Sequence, residues 1–268
     1  MSEATQAALD ARYAQVTGAL RQRLLAFVTA AFTQSGSYRD ADAEAFIDQV
    51  LPVVLGVQQQ MGAVTDAYLA QTLATMFGGA AAPAGVELAD DLRGTPPETV
   101  YRRPFVTVWT ALSQGKDMTS AVREGQNRLT SIASTDLQLA RTHATRQALG
   151  RDGRVRFYRR VLRGSFNCAL CTIASTQRYH KERLMPIHPG CDCGVRPLAG
   201  DANPGQVINP RLLEAAHNAV AKGTGESDRG GRLPDYRDII IDRQHGELGT
   251  LMALRRHEFT GPQDIPGQ

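Results

Sequence analysis

The 268-residue chain is short of aromatic residues, which make up 6% of it with a single tryptophan. Alanine is abundant instead, and that composition favours helices over sheets. There is no uninterrupted apolar run of about 18 residues, so a membrane span is not expected. The opening stretch, MSEATQAALDARYAQ, lacks a basic region followed by an apolar core. It does not read as a signal peptide, and folding in the cytosol is the expectation. Also missing are a Gly-x-Ser-x-Gly elbow, a His-Glu-x-x-His helix, a phosphate loop and a dinucleotide fingerprint. A cysteine nucleophile would need a histidine base beside it in space, and each of His143, His180, His188, His217, His245 and His257 is more simply a structural residue. The expectation is therefore that the chain is not an enzyme and has no catalytic residues.

Net charge is small at +3 but unevenly placed. Arg141 to Arg196 holds 12 Lys or Arg against three acids, Asp152, Glu182 and Asp192, while the remainder carries 18 bases against 24 acids. A basic segment in an acidic frame points to an anionic partner. The alternative is an Arg-rich surface that is solvated and paired within the molecule.

Helical periodicity dominates the first half. Leu9, Tyr13, Val16, Leu20, Leu24, Phe27 and Ala31 step by three or four residues, predicting one amphipathic helix from about Glu3 to Gln34. Ser35, Gly36 and Ser37 end it. A second helix is expected from Asp40 to Phe77 on Phe46, Val50, Val53, Val57, Met61, Val64, Tyr68 and Met76, with Pro52 either starting its main part or kinking it. Gly78 to Pro97 reads as a linker from its Gly, Ala and Pro content. A short helix follows over Pro104 to Gln114. Another runs from Asp117 or Thr119 to about Leu149, with Gly125 and a Ser/Thr-rich middle as candidate breaks. Leu212 to Ala221 is a candidate short helix, and Tyr236 to Ile241 and Thr250 to Phe259 are each a strand or a short helix. The expected fold is α+β and predominantly α-helical. Its parts are a helical hairpin (1–79), a linker (80–100), a helical region (101–150), a small Cys-rich α/β module (151–200) and a loop-rich, extended C-terminal tail (201–268).

All four cysteines lie in that module. Cys168-Ala169-Leu170-Cys171 turns two sulfurs toward one point. After nineteen intervening residues, Cys191 and Cys193 are two apart, so in an extended segment they face the same side. Four thiolates would close a tetrahedral structural Zn2+ site and leave no position for a catalytic water. Two disulfides or free thiols are the alternatives, although four cysteines in a cytosolic chain favour a metal or reduced thiols. His188 would replace one cysteine, hydrogen-bond to a thiolate or pack beside Pro189. A thioredoxin-type redox role is not expected, because no βαβ pattern surrounds the Cys-x-x-Cys.

Just before the cysteines, RVRFYRRVL alternates basic with apolar or aromatic residues and reads as a strand. Arg154, Arg156, Arg159, Arg160 and Arg163 are candidate contacts to the phosphates of double-stranded DNA, with Phe157 and Tyr158 interleaved. Alternatively, the aromatics form the strand's buried side.

In order, the stretch Leu139 to Leu198 contains Ala140-Arg141-Thr142 with Ala144 on a helix, FYRRVL, Cys168-x-x-Cys171, Pro186-Ile187-His188-Pro189-x-Cys191-x-Cys193 and Val195-Arg196-Pro197. It resembles the module of MuF-like phage minor head proteins, also called head morphogenesis proteins. His-Pro-x-Cys-x-Cys is the most specific part. The terminal HGELGTLMALRRHEFTGP looks like the tail of such proteins from phages of actinobacteria. The resemblance covers about a quarter of the chain firmly. It implies a low-copy virion protein at the portal vertex or capsid interior, made in the host cytoplasm. Its partners would be the portal protein, the major capsid protein and packaged double-stranded DNA, with roles in head assembly and in packaging or ejection. The four cysteines and His188 match the family's positions. Some members are fused to a maturation protease or toxin domain, but this chain is too short for a large fusion. The competing readings are a zinc-stabilised DNA-binding protein and a maturation protease or transferase.

Overall fold

A computed structural model describes residues 3–162, 169–175, 177–187, 193–199, 214, 218, 240–245 and 249–254. The fold is mostly helical with a small antiparallel sheet, as the composition leads one to expect. Helices α1 (Glu3–Thr33) and α2 (Asp40–Phe77) fall where the periodicity places them. The buried stripe of α1 is Tyr13, Thr17, Leu20, Leu24, Val28 and Ala31, with Phe32 beside it. Val16 is 37% exposed, off the expected stripe. Between the two helices, the N–H and hydroxyl of Ser37 donate to the Asp42 carboxylate at 2.8 and 2.7 Å, which secures the turn. Pro52 lies on the exposed side of an unbroken α2, where its missing N–H leaves a carbonyl that water can reach.

Helix α3 runs over Pro97–Ser113, seven residues earlier than Pro104 suggests. Pro97 occupies its first position, where a proline's fixed φ helps and its missing N–H costs nothing. Helix α4 (Met118–Arg151) is continuous. Asp117 caps it by accepting from the Ser120 N–H at 2.9 Å. Gly125 does not break α4. A Cβ there would lie 2.7 Å from Val108 Cγ2, 2.9 Å from Phe32 Cζ and 3.0 Å from the Pro104 carbonyl oxygen, so this glycine lets α4 approach α1 and α3.

The hairpin and the later helical region share one core. Leu24 and Phe32 of α1, Phe46 and Val50 of α2, Tyr101 and Phe105 of α3 and Leu129 and Ile132 of α4 are all buried in it. Three buried threonines in these helices are satisfied by their own backbone. Thr65, Thr142 and Thr145 donate to the carbonyls four residues earlier at 2.8 to 2.9 Å.

The Gly/Pro-rich segment between α2 and α3 is a strap fastened to the bundle. Asp66, buried in α2, accepts the backbone N–H groups of Ala84, Gly85 and Val86 at 2.9, 2.8 and 3.1 Å. Gln59 donates to the Leu88 carbonyl at 2.8 Å, and Leu88 fills the space above Gly62. Arg93 pairs with Asp136 of α4 at 2.6 Å, and the Tyr101 hydroxyl donates to the other oxygen of Asp136 at 2.8 Å.

Strands β1 (Phe157–Val161), β2 (Arg178–His180) and β3 (Gly194–Leu198) form an antiparallel sheet in the order β2-β1-β3. Helix α5 (Ala169–Ser175) packs against β1. Within the C-terminal segment, β4 (Ile240–His245) and β5 (Gly249–Leu254) pair as an antiparallel hairpin. The candidate helix over Leu212 to Ala221 falls almost entirely outside the described residues, which include only Glu214 and Asn218 of it. Among the described residues, no helix is long and apolar enough to cross a membrane.

Candidate cysteine clamp and basic sheet

The sheet has two unlike faces, set by period-two alternation along β1. Tyr158 and Arg160 point inward, while Phe157, Arg159 and Val161 are partly exposed. The inner face lies on the bundle. Tyr158 packs with Tyr13, Tyr68, Leu149 and Val155, and its ring stacks on Tyr179 at 5.4 Å. Burial pushes the Tyr158 phenol pKa up, and its hydroxyl donates to the Arg183 carbonyl at 3.1 Å. Aromatics on a strand's buried side were one of the two readings open for this stretch, and Tyr158 takes it.

Several basic residues of the Arg141–Arg196 segment bind backbone carbonyls rather than acids. Arg146 donates to the Leu184 carbonyl through Nε and Nη2 at 2.9 and 2.6 Å. Lys181 Nζ reaches the carbonyls of Leu149, Gly150 and Asp152 at 3.1, 3.4 and 2.9 Å, capping the C-terminal end of α4, where a cation is also favoured by the helix dipole. Arg160 is 4% exposed and donates to the Met185 carbonyl. It is sealed against the bundle and cannot meet a duplex, so it leaves the set of candidate DNA contacts. Arg154 is exposed but held by Asp152 at 2.7 Å and lies over the Phe77 ring. Arg156 is exposed. Arg163 lies outside the described residues.

One cysteine from each half of the motif lies in a common cluster. Cys171 on α5 and Cys193 just before β3 are both buried in one cluster with Leu170, Ala174, Ile187 and Met252. The C-terminal hairpin closes this cluster. Met252 contributes its side chain, and its N–H donates to the Pro186 carbonyl at 3.0 Å. The neighbouring Ala253 packs on Leu139 of α4. Cys168, Cys191 and His188 lie outside the described residues. Among the described residues, no group of three or more potential ligands is assembled. Cys171 and Cys193 fit a structural metal in one respect: they come from opposite halves of the motif into one apolar shell that limits solvent access. With Cys168 and Cys191 they are the residues that would hold Zn2+.

On the outer face the register reveals what the strand pattern hides. Arg159 stands directly opposite Arg178 on β2 and Arg196 on β3. Neither partner was a candidate from sequence, because each sits in a different short strand and only the pairing register brings them together. Burial and the Arg196 charge both push the Arg159 pKa down, offset in part by Asp10. Asp10 of α1 forms an ion pair with Arg196.

Comparison with protein families, with curated proteins and with solved structures found no match to this chain.

Proposed function

We propose that this chain is a phage minor head protein of the MuF-like kind, a structural component of the virion rather than an enzyme. The observation that carries the reading is the joining of Cys171 and Cys193 in one buried cluster. One cysteine from the Cys-x-x-Cys and one from the His-Pro-x-Cys-x-Cys element, the most specific parts of the resemblance, thus share an apolar cluster, which supports reading the two elements as one clamp. The clamp fastens the sheet, α5 and the C-terminal hairpin together at one end of a helical bundle. In this reading the long helices supply contact surface for the portal or major capsid protein, and the basic sheet faces packaged DNA at the capsid interior or portal vertex. In this reading Cys168, Cys171, Cys191 and Cys193, with His188 as a further candidate, would hold Zn2+, which would supply structural cross-linking and no chemistry.

Mass spectrometry of purified virions tests the assignment: the chain is expected at low copy, and its absence from mature particles would sink it. Metal analysis tests the clamp. About one zinc per chain is expected, from the four-ligand stoichiometry of such sites, and Cys168→Ser or Cys193→Ser should lose it. A second reading, a zinc-stabilised DNA-binding protein acting outside any particle, is favoured by the arginine row on the outer sheet face. It predicts DNA binding by a chain that virions lack.

A further inference from the structure

The three arginines of the outer face form a row across the whole sheet. Arg178, Arg159 and Arg196 occupy directly opposed positions on β2, β1 and β3, so the row spans roughly 10 Å at the usual strand spacing. The next row confirms that they share a face. Phe157 meets its cross-strand partner His180 edge-on at 5.5 Å, and the Arg178 guanidinium lies 4.1 Å from the Phe157 ring centre. Like charges directly opposite one another destabilise a sheet. Asp10 is one counter-charge to this row: it pairs with Arg196 and also accepts from the Tyr68 hydroxyl at 2.7 Å and from Gln6 at 2.9 Å. At the centre of the row, the Nε–H of Arg159 is shielded from solvent and has no hydrogen-bond partner, and the same is true of the Nε–H of Arg196. A shielded charged donor with no acceptor is costly. Two of them side by side mark a place for an acceptor that the described residues do not supply.

We propose that Arg159 and Arg196, flanked by Arg178, form a binding site for a phosphate group on the outer face of the sheet. Arg159 and Arg196 are only half-buried and offer their guanidinium forks to phosphate oxygens, with the shielded Nε–H groups reached once the phosphate seats, and the planar forks suit that geometry in a way lysines would not. Asp10 holds Arg196 in place from the side of α1. A single carboxylate ligand fits less well, since Asp10 already supplies one and leaves both Nε–H groups without acceptors. The phosphate belongs either to a nucleic-acid backbone or to a small free phosphate. In the first case the site deepens the DNA-facing part of the proposed function and rests on it, while the site itself depends only on the arginine row.

The test uses the full-length protein, a short fluorescent DNA duplex and inorganic phosphate. Anisotropy measures duplex binding over a range of salt concentrations, and thermal unfolding compares phosphate with chloride at matched ionic strength. If the source is a backbone, Arg159→Gln and Arg196→Gln each weaken duplex binding about tenfold, as loss of a charged hydrogen bond implies, and lower the salt slope by about one. The exposed Arg23→Gln on α1 leaves binding unchanged. If the source is a small phosphate, phosphate raises the melting temperature of the wild type over chloride, Arg159→Gln abolishes that rise, and the duplex is indifferent. Arg159→Lys keeps the charge and loses the fork, so it weakens binding in either case and serves as the reading should the glutamine variants not fold. Wild type and variants alike in both assays would overturn the proposal. That failure is separate from failure of the head-protein reading, which virion mass spectrometry decides.

Discussion

The Arg93–Asp136 pair offers a direct measure of how firmly the strap between α2 and α3 is docked. Both side chains are nearly sealed, at 5% and 6% exposure, with Nε to Oδ1 at 2.6 Å. Arg93 Nη2 also donates to the Ile132 carbonyl at 2.9 Å. Arg93→Met fills most of the same volume but leaves the Asp136 carboxylate buried beside the Tyr101 hydroxyl without its cation. Breaking one side of a buried pair costs about 3–5 kcal/mol. For a protein of this size that is a fall of roughly 10 °C in melting temperature. Replacing the whole polar cluster tells a different story. Arg93→Met with Asp136→Leu and Tyr101→Phe removes the charges and the hydroxyl together, and such apolar replacements are often neutral or stabilising. The triple variant is therefore expected to recover most of the loss. Urea unfolding of the single and triple variants, compared at unchanged m-value, measures both numbers. A loss of less than about 1 kcal/mol in Arg93→Met, the range of a solvent-exposed pair, would refute the docked strap. So would a triple variant no more stable than the single one.

Four further outcomes rest on local geometry and burial. Gly125→Ala should destabilise by about 1–3 kcal/mol, because the added methyl meets a backbone oxygen as well as side chains. Gly56→Ala, on the exposed side of α2 with open space around it, should stabilise by about 0.5–1 kcal/mol. Urea titration of both reads the signs, and a stabilising Gly125→Ala would show that α4 does not approach its neighbours there. Asp66→Asn removes the carboxylate that gathers three backbone N–H groups, and hydrogen exchange at Ala84, Gly85 and Val86 should quicken at least tenfold on the scale of a charged hydrogen bond; unchanged protection would contradict the fastening. Burial, with the Arg146 charge beside it, holds His143 below the usual histidine pKa. The unfolded chain therefore binds more protons near that pKa, so stability is present above about pH 6.5 and lost as the pH falls below it. His143→Gln should flatten that acid limb in urea titrations, and an unaltered limb would count against it.

The features legible from the residues alone are those that depend on neighbours along the chain. Helices α1 and α2 were readable because a three-or-four-residue step runs to Ser35-Gly36-Ser37 and again to Gly78. Of the four cysteines whose local spacing suggests one module, Cys171 and Cys193 share a buried cluster, and Cys168 and Cys191 lie outside the described residues. What escaped is set by partners distant in sequence. Gly125 looks like a helix breaker until Phe32 and Val108 are beside it. The segment after Gly78 looks like a free linker because Asp66 and Asp136, which fasten it, lie in helices on either side. The charge surplus is a coarse signal for a more general reason. Counting bases against acids treats each Arg or Lys as seeking a carboxylate, yet Arg146, Arg160 and Lys181 bind carbonyls that no charge count registers. Arg160 thereby leaves the list of DNA contacts. Arg178 and Arg196, too far apart in sequence to look like a motif, join Arg159 through register alone. A basic segment is thus a poor guide to which of its side chains face a partner. The better guide is a guanidinium N–H without an acceptor on a side chain that still reaches solvent: the Nε–H of Arg160 also lacks one, but Arg160 is sealed against the bundle, whereas Arg159 and Arg196 are half-buried on the outer sheet face.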